Sequence, residues 1–473
     1  MATQHAPTFK SCLVLTLAAA VAFHVAYSVP LLSFLIVVYL YCLFELSRAA
    51  TWRLAFLCGL AAGVLAYAPQ LAFFWTIFGP AALDFWLVLA FWIGLFVALL
   101  RAVRLRHGAI AAAVAAPVFW TGLEYFRSEL YYLRFSWLDA GYALANYPQA
   151  LRLDWFGVYG IGFLGMALVG WFTLQRRPWV RIVAVYLLLV SGLFLNGYAR
   201  LWWLTPGASV AKSPYVLGVQ LEFPQEEEVI SALDDAIRQH PGVDILVLSE
   251  YAFPGPVPET VRSWCREHGK YLIAGGKDPV GGLGSDEFYN TAFVIGPDGA
   301  VAFKQAKSVP IQFFKDGLPA TERRPWPSPW GDIGLCICYD LSYTRVTDDL
   351  IRHGARALIV PTMDVETWGR RQHELHARIA AVRAAEYRVP VFRVCSSGIS
   401  QAVEDSGKVR VTGPYGAYGW TITDLMELRM DRTGGLPLDR WLAPLCVGLT
   451  GLCVVWLGVG AVRKRGRIPA REA

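Results

Sequence analysis

The sequence predicts a polytopic α-helical membrane domain joined to one α/β domain with a layered sheet. Three observations carry this. Of 473 residues, 55% are hydrophobic and only 17% charged, where soluble domains carry about 25% charged residues. Mean hydropathy is +0.40. The apolar residues are concentrated in 1–205 and 441–462, whereas 213–435 has the mixed composition of a globular domain and alternates strand-like with helix-like stretches.

Runs long enough to cross about 30 Å of hydrocarbon lie near 11–28, 30–46, 54–78, 82–100, 109–126, 157–174 and 180–200, with an eighth at 441–462. The chain is therefore read as a seven-helix membrane domain (1–205), a globular domain (213–435), an eighth transmembrane helix (441–462) and a basic tail (463–473). The first run lacks a clear small-residue cleavage site and leads through Val29, Pro30 and Leu31 into another span, so it is read as retained. Arg48 and Arg53 follow the second span, Arg101, Arg104 and Arg106 the fourth, and Arg176, Arg177 and Arg181 the sixth. The positive-inside rule puts these loops and the tail, with Arg463, Lys464, Arg465, Arg467 and Arg471, on the cytoplasmic side. Both termini are then cytoplasmic and the globular domain is extracytoplasmic. Residues 127–156 form a longer outer connection that carries some arginine. The net charge of +6 mostly records the loop flanks, and no basic stripe interleaved with aromatics suggests nucleic acid.

Five of the nine cysteines fall in apolar spans, leaving Cys265, Cys336, Cys338 and Cys395 in the globular domain. Cys336 and Cys338, two apart on a strand, face opposite sides and do not bridge each other. His373 and His376, three apart on a helix, are read as a solvated face or a substrate contact rather than a metal pair. No metal or organic cofactor is expected.

In the globular domain Tyr215–Leu221 opens as a strand, a helix covers about Gln225–Arg238, and Asp244–Leu248 is a buried strand ending in Ser249 and Glu250. A helix follows near Glu259–His268. Tyr271–Ala274 is a strand, and Thr291–Ile295 with Val301–Lys304 forms a hairpin turned by Pro297, Asp298 and Gly299. Gly334–Asp340, GLCICYD, reads as a core strand ending in a thiol, where open α/β sheets present reactive groups. Leu358–Val360 is a strand, His373–Tyr387 a helix, Val391–Val394 a strand, and Ser406-Gly407 turns a last hairpin. Three strand ends thus carry chemistry. Glu250 follows an apolar strand whose desolvation suits a carboxylate to proton transfer near neutral pH. Lys304 closes the hairpin, where an ammonium steadies an oxyanion or a thiolate. Cys338 supplies the nucleophile.

The order Glu250, Lys304, Cys338 is one mark of a resemblance to the carbon-nitrogen hydrolase (nitrilase) superfamily. VQLEFPQ (Val219–Gln225), LSEYAFP (Leu248–Pro254), YNTAFVIGPDG (Tyr289–Gly299), CYD (Cys338–Asp340) and RAAE (Arg383–Glu386) are similar to that family's motifs. The resemblance implies an α-β-β-α sandwich and a Glu-Lys-Cys triad. Eight spans around such a domain, with AAPVFWTGLEYFR (Ala115–Arg127), FSW (Phe135–Trp137) and Gly141-Tyr142, look like the apolipoprotein N-acyltransferase branch, in the bacterial inner membrane with its catalytic domain periplasmic.

That resemblance implies transfer of an acyl chain from a phospholipid, through a Cys338 thioester, to the α-amine of a diacylglyceryl-cysteine lipoprotein. Its expected partners are lipid and lipoprotein, and the expected state is a monomer. Tyr339, Asp340 and Gln312 are candidate substrate contacts, with Trp137 and Trp75 lining a lipid groove. Two departures stand out. The family's VPFGE-like segment, whose glutamate belongs to the active site, is here Val309, Pro310, Ile311, Gln312 and Phe313, without a carboxylate. Gln312, Asp316 or Glu322 is left to fill that place. Lys304 lies one residue further from Val309-Pro310 than the family spacing, so Lys307 competes for the lysine role. A membrane-embedded amidase or an acyltransferase with another acceptor, and a degenerate lipid-binding scaffold, are the alternative readings.

Overall fold

The computed structural model of the chain describes residues 7–145, 147, 151–175, 177, 213–282, 285–416, 421–422, 426–430 and 434–465. The expected seventh span, 180–200, lies outside the described residues. The chain divides into two compact units: Met1–Tyr147 with Phe156–Ala199 and Leu438–Ala473, and Pro148–Trp155 with Arg200–Pro437.

In the first unit, α1 is Phe9–Ser28, α2 Ile36–Leu46, α3 Trp52–Gln70, α4 Phe73–Phe78, α5 Ala82–Tyr125, α6 Ala140–Ala143, and α7, which begins in the second unit's segment, Leu153–Leu174. The last helix of the chain, Asp439–Arg465, also belongs here. Among the described residues five helical segments are long and apolar enough to cross a membrane. One of these, Phe73–Leu130, holds two of the expected spans. The loop expected after residue 100 is instead two further turns of α5, because Arg101, Arg104 and Arg106 are good helix formers. The break falls at Gly108, whose φ of 86° lies in the left-handed region that glycine enters at little cost.

The connection after Tyr125, expected as an outer loop, is not a solvated loop. Arg127 is buried and forms an ion pair with buried Asp139. The Ser128 hydroxyl donates to Asp139 Oδ1 at 2.8 Å, and the Ala140 N–H donates to Glu124 Oε1 at 2.7 Å. An apolar surround makes an unpaired charge costly, which explains why the arginine and its carboxylate travel together. Arg127, one of the arginines of that connection, is a packing residue.

The second unit carries two sheets. Its strands are β1 Tyr215–Gln220, β2 Ile245–Val247, β3 Tyr271–Pro279, β4 Phe288–Ile295, β5 Val301–Ala306, β6 Trp326–Ser328, β7 Gly331–Leu335, β8 Ala357–Thr362, β9 Val391–Cys395, β10 Gln401–Val403, β11 Val409–Thr412, β12 Thr421–Ile422 and β13 Met426–Glu427. One sheet runs β12-β1-β2-β3-β4-β5, with β13 also on β1, and the other β11-β10-β9-β8-β7-β6. Each has three parallel strands, β1-β2-β3 and β7-β8-β9, flanked by antiparallel neighbours.

The layering follows from the two-residue period of a strand. Val216, Ile245, Val247, Ile273, Ala292 and Val294 point into one core shared with Ile333, Leu335, Ile359, Phe392 and Val394 of the facing sheet. Their neighbours Leu217, Leu246, Leu248, Leu272 and Phe293 point the other way, against Val229 and Leu233 of α8 (Glu226–Gln239) and Val261 and Trp264 of α9 (Glu259–His268). Helices α10 (Thr344–Arg352) and α11 (Arg370–Tyr387) follow β7 and β8. Buried on both faces, the central strands read as continuous apolar runs. Helix α12 is Asp439–Arg465. The fold is a helical membrane domain plus an α-β-β-α nitrilase-like domain.

Candidate active site

Glu250, buried, stands three residues beyond the end of β2. Its backbone runs against β3 so closely that a Cβ on Gly275 would lie 2.5 Å from the Glu250 Cα. Glu250 Oε1 accepts from Lys307 Nζ at 2.8 Å and from Asn290 Nδ2 at 2.6 Å, and Oε2 accepts the Met363 N–H at 2.8 Å.

The lysine at this carboxylate is Lys307, not Lys304. Strand β5 carries Lys304 on an exposed position, where its Nζ pairs with Asp278 at 2.9 Å and the side chain is 47% exposed. The strand ends at Ala306, and the next residue, Lys307, turns inward, with its N–H donating to the Asn290 carbonyl at 2.7 Å and no side-chain exposure. Its ammonium lies between Glu250 and Asp316, 2.7 Å from Asp316 Oδ2.

Of Gln312, Asp316 and Glu322, the three that the sequence offered there, Asp316 is the one that pairs with Lys307. Its Oδ1 accepts from Tyr251 OH at 2.8 Å and Asn290 Nδ2 at 2.9 Å, and its Oδ2 accepts the Ile311 N–H at 2.7 Å. Gln312 is half-buried in the Ile311–Phe314 turn, and Glu322 is 71% exposed beside Arg324. The intervening residues form a turn that carries the carboxylate back over the lysine. Counting outward from Val309-Pro310 misses it.

Cys338 follows β7 by three residues and opens a short turn, Cys338–Ser342, with φ of 52°. A side chain in the left-handed region costs about 1–3 kcal/mol and persists where the surroundings hold it. Here they do. The thiol donates to the Met363 carbonyl at 3.7 Å, so one residue's N–H and C=O receive the Glu250 carboxylate and the thiol. The turn is tied down by Arg383 of α11, which donates to the carbonyls of Leu341 at 3.0 Å and Ser342 at 2.9 Å and pairs with Glu386. That is the physical content of the RAAE stretch.

Asp340, a candidate substrate contact from sequence, is buried and accepts the N–H groups of Ser308, Val309 and Ile337 at 3.0, 2.7 and 3.2 Å. It clamps the segment after Lys307 to the turn that begins at Cys338. Tyr339 is half-buried, its ring edge-on to Tyr343 at 4.9 Å. Trp137 and Trp75 belong to the membrane unit. Trp137 packs against Phe135 at 5.1 Å and is buried, and Trp75 is 52% exposed.

The electrostatics follow from burial and the one ammonium. Burial raises Glu250 above the usual carboxylate range, offset in part by Lys307 and reinforced by Asp316. Burial would raise Asp316 too, but the Lys307 ammonium overrides it and the carboxyl is held below its ordinary value. Burial alone would lower Lys307, yet Asp316 and Glu250 raise it well above the usual lysine value, so the ammonium stays charged. Burial holds the Cys338 thiol well up, and Glu250, close enough to accept its hydrogen bond, pushes it further. The site sets the Cys338 thiol and the buried Glu250 carboxyl group beside the Lys307 ammonium.

The sequence missed a second buried network. His373 and His376 are not a solvated face: both are buried, and His376 Nδ1 lies 2.8 Å from Asp364 Oδ1. Asp364 also pairs with buried Arg393 and accepts from Gln372 Nε2 at 2.9 Å. Because Asp364 follows Met363, this network anchors the stretch on which thiol and base converge. The alternation of charge and apolar residues along α11 concealed it.

Comparison with known proteins fits both units. Residues 11–170 match the family described as apolipoprotein N-acyltransferase N-terminal domain, and 222–419 match carbon-nitrogen hydrolase. The two matches together support an apolipoprotein N-acyltransferase of the carbon-nitrogen hydrolase superfamily. It is 24% identical to the apolipoprotein N-acyltransferase of Geobacter metallireducens over 351 residues, 64% of this chain and 66% of that one. It is 23% identical to that of Pasteurella multocida over 439 residues, 80% of each. Among solved structures, a carbon-nitrogen hydrolase from Helicobacter pylori aligns at a TM-score of 0.39 and 18% identity, covering 46% of this chain and 89% of that chain.

Proposed function

We propose that the chain is an N-acyltransferase that moves an acyl chain from a phospholipid, through a thioester on Cys338, to the α-amine of a diacylglyceryl-cysteine lipoprotein. The observation that carries this reading is the buried Lys307 held between Glu250 and Asp316 beside Cys338, in a chain whose other unit matches the N-terminal domain of the same family. Lys307 takes the role expected of Lys304.

In the first half-reaction the Cys338 thiol gives its proton to Glu250 as sulfur bonds to the ester carbonyl carbon. Negative charge collects on the carbonyl oxygen, and the Lys307 ammonium with the N–H of Tyr339 stabilises it. The ester C–O bond then breaks. The lysophospholipid leaves with the proton held by Glu250, and a thioester remains. In the second, the acceptor amine attacks the thioester carbon and loses its proton to Glu250. The C–S bond breaks, and Cys338 regains the proton as an amide forms. Asp316 and Asn290 keep Lys307 and Glu250 in place through both halves.

The test supplies the purified full chain with a phospholipid labelled at its sn-1 acyl chain and a diacylglyceryl-cysteine peptide. Tandem mass spectrometry is expected to find the label amide-linked at the peptide's N-terminus. Label recovered only as free fatty acid would replace the transferase reading with a hydrolase.

A further inference from the structure

Helices α5 and α12 of the membrane unit touch at one level and part at another. A Cβ on Gly122 would lie 2.6 Å from the Cys446 carbonyl oxygen, and the Thr450 hydroxyl donates to the Val118 carbonyl at 3.3 Å. The backbones meet there. Towards Gly108 the space between them opens into a cavity of about 450 Å³ whose walls include Ala111, Ala115, Leu449 and Cys453. On α12 its lining runs from Leu449 to Trp456, a rise of about 10 Å.

The open end is different in kind. Trp456 and His107 line it, their rings 5.0 Å apart. The Arg106 guanidinium lies 5.6 Å from the Trp456 ring centroid, and its Nη2 donates to the Leu457 carbonyl at 3.3 Å. Among the described residues no carboxylate pairs with Arg106. In sequence, Arg463, Lys464 and Arg465 follow shortly after Trp456. An apolar crevice ending in a tryptophan, a histidine and an unneutralised arginine matches a molecule with an apolar tail and an anionic head. A cavity of about 450 Å³ has room for a single hydrocarbon chain.

We propose that this crevice is a binding site for a phospholipid of net negative charge, one acyl chain lying between α5 and α12 and the phosphate resting on Arg106 and His107. The site is separate from the acyl-transfer chemistry and does not depend on it.

The experiment is native mass spectrometry of the full-length protein exchanged into mixed micelles of phosphatidylglycerol and phosphatidylcholine of distinct masses. One phosphatidylglycerol is expected to be retained per chain beyond any lipid at the active site. Replacing exposed Arg106 and His107 in an Arg106→Gln, His107→Gln variant is expected to lower its retention about fivefold for the one arginine charge removed, leaving phosphatidylcholine unchanged. An Ala111→Phe, Ala115→Phe variant, which fills the crevice, is expected to lose that lipid while still forming amide product. Equal retention of both lipids by the wild type, or retention unchanged in either variant, overturns the proposal. So does a Val114→Cys variant that cross-links two copies, which would make the occupant a protein helix.

Discussion

Lys304 and Lys307 stand three residues apart, and what separates them is where β5 ends. Inside the strand, side chains alternate between faces, and Lys304 falls on an exposed position of an edge strand. Lys307 comes after the last ladder residue, where the chain is free to turn the side chain in. A sequence shows both lysines at a strand end but not which residue ends the strand. Lys307→Ala is expected to lower amide formation by about 10²–10³-fold, the range for losing one oxyanion stabiliser. Lys304→Ala is expected to stay near the wild-type rate, since a surface pair contributes at most about 1 kcal/mol. The two variants are compared at matched thermal stability.

Asp316 supplies the prediction in pH. Glu250 is held up by burial and, in part, by Asp316. A base held up is protonated over more of the acid range, so the rate falls as pH is lowered through its pKa. Neutralising Asp316 removes one of the contributions raising Glu250. In Asp316→Asn the acid limb of the pH–rate profile is therefore expected at lower pH than in the wild type, with a lower plateau because Lys307 loses one of its two carboxylates. An acid limb that stays in place contradicts the electrostatic role of Asp316.

Among the elements, the central strands were legible because doubly buried strands leave apolar runs, and Glu259–His268 because its amphipathic period is clear. The short strands β6, β12 and β13 were not, since two or three residues leave no period to read. The meaning of RAAE was hidden for another reason: Arg383 acts on carbonyls about forty positions earlier, a tertiary pairing that local pattern does not encode. Breaking it in Arg383→Gln leaves Glu386 buried without its partner and is expected to cost about 3–5 kcal/mol of unfolding free energy, read from denaturant titration. Gly275 tests placement rather than stability. A methyl group there meets the backbone of Glu250, and moving a base by about 1 Å costs on the order of 10²-fold in rate. Gly275→Ala is expected to lose turnover well beyond any loss of thermal stability.

At the scale of the whole molecule, hydropathy separated the two units, and the loop arginines provide the expectation about sidedness. With both termini cytoplasmic, an impermeant thiol reagent applied to spheroplasts is expected to label Lys315→Cys, whose native side chain is 70% exposed, and to spare Ala473→Cys until the membrane is opened. The reverse pattern would invert the topology. Length and composition show that a chain is long and apolar enough to span. They do not show that Arg127 is buried with Asp139, because a loop arginine and a packed one look alike in sequence. The measurement that bears most directly on the proposed chemistry is the intact mass of the purified protein after incubation with a defined phospholipid. The account predicts an added mass of one acyl chain, mapped to Cys338, absent in Cys338→Ala, present in Cys336→Ala, and discharged when a diacylglyceryl-cysteine peptide is added. An adduct on another residue, or none under conditions that load a related active enzyme, would contradict it.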